Sequence, residues 1–234
     1  MTGASGQART VRMTSAQGIP QVFAVLLPPS YQASETRYPV VYLFHGGGQD
    51  HTAFMARNAF RRVAPGYEVI FVMPAVDRGY SGRGRAAQDA YHAFVATELV
   101  PYVDAQYRTI ASREARAIAG LSMGGRVATM TSLKHPGQFG TVGAFSAALG
   151  PDAVTAVEEL STASAPYVYL SCGTADSLLG INREFAGRLA ERNLPHEYHE
   201  SPGLGHTWDL WDAQIGVFIE LYAARIAAAL PSQR

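Results

Sequence analysis

The chain has 234 residues, and its 19 Lys+Arg balance 19 Asp+Glu, so the formal net charge is zero. That balance excludes the basic field that sequence-independent nucleic-acid binding needs, and no polybasic segment is left for an anionic membrane. The one cysteine, Cys172, excludes an internal disulfide and a cysteine-built zinc site.

With 47% hydrophobic and 16% charged residues, the composition is that of a globule. A chain of this length buries roughly 70–75% of its unfolded surface and needs no staple. No internal repeat, low-complexity stretch or linker divides it, so residues 1–234 read as one domain. The first eighteen residues, MTGASGQARTVRMTSAQG, hold no apolar core of a secretion signal. A cytoplasmic protein is therefore expected; a leader already removed would instead imply secretion. No run approaches the roughly 18 apolar residues of a membrane span.

Strands and helices alternate along the chain. Gln21–Leu27 alternates apolar and polar residues until Pro28-Pro29 stops it. Val40–Phe44 is a short apolar run that ends at His45-Gly46-Gly47-Gly48. Thr52–Val63 reads as helix, and Glu68–Met73 as a second buried strand closed by Pro74. Gln88–Tyr107 reads as helix with Pro101 inside it, which must kink or split the helix. Ala115–Ala119 is a strand, followed by Gly120-Leu121-Ser122-Met123-Gly124-Gly125 and a helical Arg126–Lys134. Thr141–Phe145 and Tyr167–Ser171 are further strands. Leu178–Arg192 reads as helix, His196–Glu200 as a polar strand near an edge, and Trp208–Leu230 as the last helix. Apolar strands alternating with helices imply an α/β fold, a mostly parallel sheet covered on both faces.

The chemistry centres on Gly120-Leu121-Ser122-Met123-Gly124, a G-x-S-x-G between a strand and a helix. A sharp turn there exposes the serine hydroxyl, and small residues two before and two after it let strand and helix approach. A serine needs a base to take its proton. In hydrolases with this turn the base comes last in chain order, and no histidine lies beyond His206. The third member is a carboxylate between Ser122 and His206. Asp152, Glu158, Glu159, Asp176, Glu184, Glu191, Glu197 and Glu200 are the candidates. Asp176 follows the strand Tyr167–Ser171 by a short loop, at the carboxyl edge where active groups gather. Its position also fits a cap for the helix that follows, with the catalytic role favoured.

An oxyanion needs backbone N–H donors. Met123 supplies one, and the glycine loop after Val40–Phe44 the other, with Gly47 favoured over Gly46. No Lys-Ser/Thr pair follows these glycines, which removes a phosphate loop. His45 and His51 flank Asp50 at a spacing poorly suited to a metal, so neither metal nor cofactor is expected.

The segments VVYLFHGGGQD, GLSMGG, CGTAD and GLGHTWDLWD together resemble the esterase D-like branch of the α/β-hydrolase superfamily. That branch includes S-formylglutathione hydrolases, feruloyl and acetylxylan esterases, tributyrin-type carboxylesterases and mycolyl transferases. The resemblance runs from about Gln21 to about Leu221. It implies an α/β-hydrolase fold without a large cap domain. It also implies Ser122 as nucleophile, His206 as base, Asp176 as acid, and Gly47 with Met123 as the oxyanion hole.

The implied activity is hydrolysis of small acyl or hydroxycinnamoyl-type esters. Acyl transfer, or thioester hydrolysis of the S-formylglutathione type, would use the same residues. A non-catalytic binding module on this fold is the reading from another class. Gly46, Trp208 and Trp211 are assigned to the substrate pocket, although Trp211 fits equally as packing for the last helix. The run Asp77–Arg85 lies where the family places substrate contacts but spells no specificity. The expected partner is a small-molecule ester, with self-association left open.

Overall fold

In the computed structural model, which describes residues 7–76, 80, 82 and 84–230, eight strands form one sheet. The strands are β1 (Arg9–Thr14), β2 (Pro20–Leu26), β3 (Val40–Phe44) and β4 (Ile70–Pro74), then β5 (Arg116–Leu121), β6 (Thr141–Phe145), β7 (Tyr167–Gly173) and β8 (His196–Ser201). Their order is β1-β2-β4-β3-β5-β6-β7-β8. The β1–β2 and β2–β4 pairs are antiparallel, and every other pair is parallel.

Seven α-helices cover the two faces: α1 (Asn58–Val63), α2 (Gly84–Phe94), α3 (Val100–Gln106), α4 (Met123–Lys134), α5 (Pro151–Glu158), α6 (Leu179–Glu191) and α7 (Trp208–Ala229). The period of two along a strand decides which side chain joins which core. In β3, Val40, Tyr42 and Phe44 pack on the side of α2–α6, while Val41 and Leu43 pack on the side of α1 and α7. Both sides are apolar, so β3 through β7 read as unbroken hydrophobic runs, as expected for parallel strands buried on both faces.

Pro101 neither breaks nor sharply splits its helix. A π-helical turn, Val95–Leu99, joins α2 to α3, and Pro101 enters the first turn of α3. Val100 donates its N–H to the Val95 carbonyl, and Thr97 Oγ1 donates to the Ala93 carbonyl at 2.8 Å. The wider turn thus accommodates a residue that has no N–H.

The expected helix Thr52–Val63 is shortened to α1. Asp50 Oδ1 accepts from Thr52 N–H at 2.8 Å and from Thr52 Oγ1 at 2.6 Å. This side-chain turn competes with the helix start, and residues 51–56 form turns instead. Two elements, β1 and α5, had no counterpart in the sequence reading. Of the run Asp77–Arg85, residues 77–79, 81 and 83 lie outside the described residues. Among the described residues no helix is long and apolar enough to cross a membrane.

Candidate active site

Ser122 stands between β5 and α4 with φ 54° and ψ −118°. A non-glycine residue in that region is strained, and here the neighbours determine it completely. Ser122 N–H donates to the Phe145 carbonyl at 2.9 Å, while its carbonyl accepts from Ala148 N–H at 2.9 Å and Arg126 N–H at 3.1 Å. The end of β6 therefore grips the turn from both sides.

The glycines of the turn are needed for close approach. A Cβ on Gly124 would land on the Phe44 carbonyl oxygen, and one on Gly120 on the Gly124 backbone. Gly124→Ala should destabilise the fold by more than about 3 kcal/mol in a urea titration. Gly47→Ala, whose Cβ meets nothing within 4 Å, should cost less than about 1 kcal/mol. Equal losses for the two would contradict this packing account.

The structure brings Ser122, His206 and Asp176 together. Ser122 Oγ donates to His206 Nε2 at 2.8 Å, and His206 Nδ1 donates to Asp176 Oδ2 at 2.9 Å. The loop carrying His206 is held by β7: a Cβ on Gly173 would strike the Leu204 carbonyl, and Ala175 N–H donates to that same carbonyl at 3.0 Å. The Asp176 side chain is fully buried, whereas that of His206 keeps 34% exposure.

The two Asp176 oxygens have separate partners. Oδ2 takes His206, and Oδ1 accepts from Leu178 N–H at 2.8 Å at the start of α6. Burial raises the Asp176 pKa, but the Leu178 N–H, the Ser146 hydroxyl and His206 outweigh it, so the carboxyl is held below its usual value. The group thus stays ionised, as a partner for an imidazolium must.

Five of the rival acids, and His92 and His199 among the histidines, have other partners. Asp152 pairs with Arg126 at 2.6 Å, Glu158 and Glu191 with Arg188, and Glu200 with Arg183. Glu197 accepts from Tyr167 and meets His199 at 3.0 Å. His92 is buried between Tyr80 (3.1 Å) and Thr131 (2.9 Å), and desolvation pushes its pKa down to about 4. Burial likewise lifts the Cys172 thiol to about 11, which removes it as a nucleophile.

The glycine loop lies against the serine. A Cβ on Gly46 would be 3.6 Å from Ser122 Cβ. The Gly46 N–H is already spent, donating to Gln49 Oε1 at 3.0 Å. For the N–H groups of Gly47 and Met123 no acceptor is found among the described residues.

His45, unassigned by sequence reasoning, holds this loop. Its Nδ1 donates to the Gly46 carbonyl at 2.8 Å, and its Nε2 accepts from Val76 N–H at 2.9 Å. Burial lowers its pKa, so the neutral ring that both bonds require is favoured. Both nitrogens are used within the protein, so His45 offers no lone pair to a metal. No group of three or more His, Cys, Asp or Glu able to hold a metal occurs among the described residues.

Trp211 is buried at 6% exposure and meets His206 edge to face, with centroids 5.0 Å apart. It packs α7 on the sheet and backs the imidazole at once. Trp208 is half-buried, edge-on to Trp211 at 5.4 Å, with the Arg57 guanidinium 4.8 Å from its ring centroid.

The family model described as "Putative esterase" matches residues 16–218. The chain belongs to the esterase family. Among its relatives, Esterase Rv1288 of Mycobacterium tuberculosis (strain ATCC 25618 / H37Rv) is 31% identical over 275 residues, covering 92% of this chain. The chain spans only 59% of that relative's length. An endo-1,4-beta-xylanase/feruloyl esterase of Xylanibacter ruminicola is 27% identical, over 82% of this chain and 28% of its own. Among solved structures, a ferulic acid esterase superposes with a TM-score of 0.82 at 28% identity, covering 94% of this chain and 98% of that one. The fold is that of the α/β-hydrolases of this family.

Proposed function

We propose that the chain is a serine carboxylesterase that hydrolyses small acyl or hydroxycinnamoyl-type esters through an acyl-enzyme. The hydrogen-bonded chain from Ser122 Oγ through His206 to Asp176 carries the reading. Ser122 Oγ attacks the ester carbonyl carbon while His206 Nε2 takes the hydroxyl proton. Asp176 fixes the tautomer that leaves Nε2 free to accept it, then faces the imidazolium. The oxyanion of the tetrahedral intermediate is met by the N–H groups of Gly47 and Met123, and α4, starting at Met123, points its positive end there.

The C–O bond to the leaving alcohol then breaks, and His206 returns the proton to that oxygen. In the second half His206 takes a proton from water, whose oxygen attacks the acyl carbon, and Ser122 is released. The exposure of His206 supports water over a second alcohol as acceptor, since acyl transfer needs water excluded.

The substrate class is supported by two relatives whose names include feruloyl or ferulic acid esterase, and by the half-buried Trp208 beside the His206 loop. A kcat/KM series over p-nitrophenyl esters of increasing acyl length, with methyl ferulate, tests it. Acetyl to butyryl esters and methyl ferulate should be the best substrates, with rates falling for longer chains. A preference for long chains would overturn the substrate class, and inertness toward every ester would overturn the activity.

A further inference from the structure

The loop after β3 is a tight turn closed by one residue. Gln49 N–H donates to the Gly46 carbonyl at 3.3 Å, so residues 46–49 make a four-residue turn. Gly48 has φ 76°, as the third position of a type II turn requires. Gln49 reaches back with its side chain as well, and Oε1 accepts from the Gly46 N–H at 3.0 Å. Because that partner is a donor, the carboxamide must present its oxygen to it. One residue thus holds both polar groups of Gly46.

Gly46 is buried against the nucleophile. A Cβ there would lie 2.7 Å from Leu121 Cδ1 and 3.6 Å from both Ser122 Cβ and Gln49 Oε1. Its carbonyl shares a planar trans peptide with the N–H of Gly47, so the two point in opposite directions. Whatever holds the Gly46 carbonyl therefore aims the Gly47 N–H. The holders are His45 Nδ1 at 2.8 Å and Gln49 N–H at 3.3 Å.

The side-chain bond of Gln49 restrains the other side of the Gly46 Cα. Three glycines in a row have no side chains with which to supply that restraint themselves. Without Oε1 the buried Gly46 N–H has no acceptor among the described residues, and the turn would gain by rotating it toward water.

We propose that Gln49 is a positioning residue of the oxyanion hole, its side-chain clasp on Gly46 fixing the direction in which the Gly47 N–H meets the oxyanion. The proposal rests on the esterase reading above, with Gly47 as a donor. Gln49 acts through the Gly46–Gly47 peptide and not on the substrate. Its effect belongs to the transition state. A neutral ester carbonyl gains little from a well-aimed N–H, whereas the tetrahedral oxyanion gains much.

The test is a double-mutant cycle of Gln49→Met, which keeps the length and removes the acceptor, with Gly47→Pro, which removes the donor. Proline suits the second position of a type II turn, so Gly47→Pro deletes the N–H and keeps the turn. Gln49→Ala repeats the deletion in case the methionine variant does not fold. Turnover is measured with p-nitrophenyl acetate, and inhibition with an alkyl trifluoromethyl ketone, whose adduct with Ser122 carries the same oxyanion. Gln49→Met should lower kcat about tenfold, with KM within about twofold. Affinity for the ketone should fall by the same factor as kcat/KM. Gly47→Pro should lower kcat by about 10²–10³-fold, as for one oxyanion donor removed. Adding Gln49→Met to it should cost less than about twofold more.

Unchanged kcat and ketone affinity in Gln49→Met, beside an impaired Gly47→Pro, would overturn the role of Gln49 and leave the oxyanion hole standing. A loss carried by KM alone, or the full loss repeated on Gly47→Pro, would do the same, because Gln49 would then act by another route. Wild-type kcat in Gly47→Pro would instead remove Gly47 as a donor, and retained turnover in Ser122→Ala would overturn the esterase reading itself.

Discussion

Ser122→Ala is expected to lower kcat for p-nitrophenyl acetate by about 10⁵-fold or more, the scale seen when a triad nucleophile is deleted. Cys172 cannot replace it, since it is buried and its thiol is held protonated. The fold should survive. Alanine keeps the Cβ that already occupies φ 54°, and the bonds to Phe145, Ala148 and Arg126 all come from the backbone. The thermal midpoint should therefore shift by no more than a few degrees, on the order of a 1 kcal/mol change. The oxyanion donors stay in place, so residual hydrolysis above the rate in water is expected rather than none. Wild-type turnover in this variant would remove Ser122 as nucleophile.

Asp176→Asn is the second large effect, expected at about three to four orders of magnitude in kcat. The reason lies in the donor count. Asp176 accepts from two N–H groups, Leu178 and His206 Nδ1, one on each oxygen. Asparagine has one oxygen and one NH₂ group. If the oxygen stays with Leu178, the NH₂ faces His206 and forces Nδ1 to become an acceptor. Nε2 then carries the proton and can no longer take one from Ser122.

The pH dependence follows from the same contacts. The folded-state Asp176 pKa lies below its ordinary value, so its contribution to stability is fully present above the ordinary carboxylate range. That contribution is lost as pH falls through the folded-state pKa. Wild-type protein should therefore lose stability at acid pH along a limb that Asp176→Asn lacks. An Asp176→Asn enzyme with wild-type kcat would move the acid to another carboxylate.

Much of this was legible in the sequence, for identifiable reasons. Strands β3 to β7 are buried on both faces, so they read as apolar runs whatever their neighbours. The elbow was legible because its glycines are imposed by contact: no side chain fits between Gly120, Gly124 and Phe44. Chain order singled out His206 and the loop after Tyr167–Ser171 singled out Asp176, and the fold brings both to Ser122.

What stayed hidden depends on tertiary partners. β1 is a polar edge strand, RTVRMT, whose register is set by β2 and not by an apolar face of its own. The helix expected from Thr52 was lost to the Asp50 side-chain turn, and the π-turn before Pro101 is a local solution that propensity does not spell. That the Gly46 N–H is engaged was not legible, because its acceptor, Gln49, folds back from three residues on. His45 read as part of a glycine-rich turn because its bond to Val76 crosses to the end of β4.

The central claim is that Ser122 is the acylated residue. Reaction with a fluorophosphonate, followed by intact mass and peptide mapping, tests it most directly. The account predicts one adduct per chain, located at Ser122, formed in step with loss of esterase activity and absent from Ser122→Ala. An adduct at another residue that accompanies the loss of activity, or full activity in protein quantitatively modified at Ser122, would contradict it.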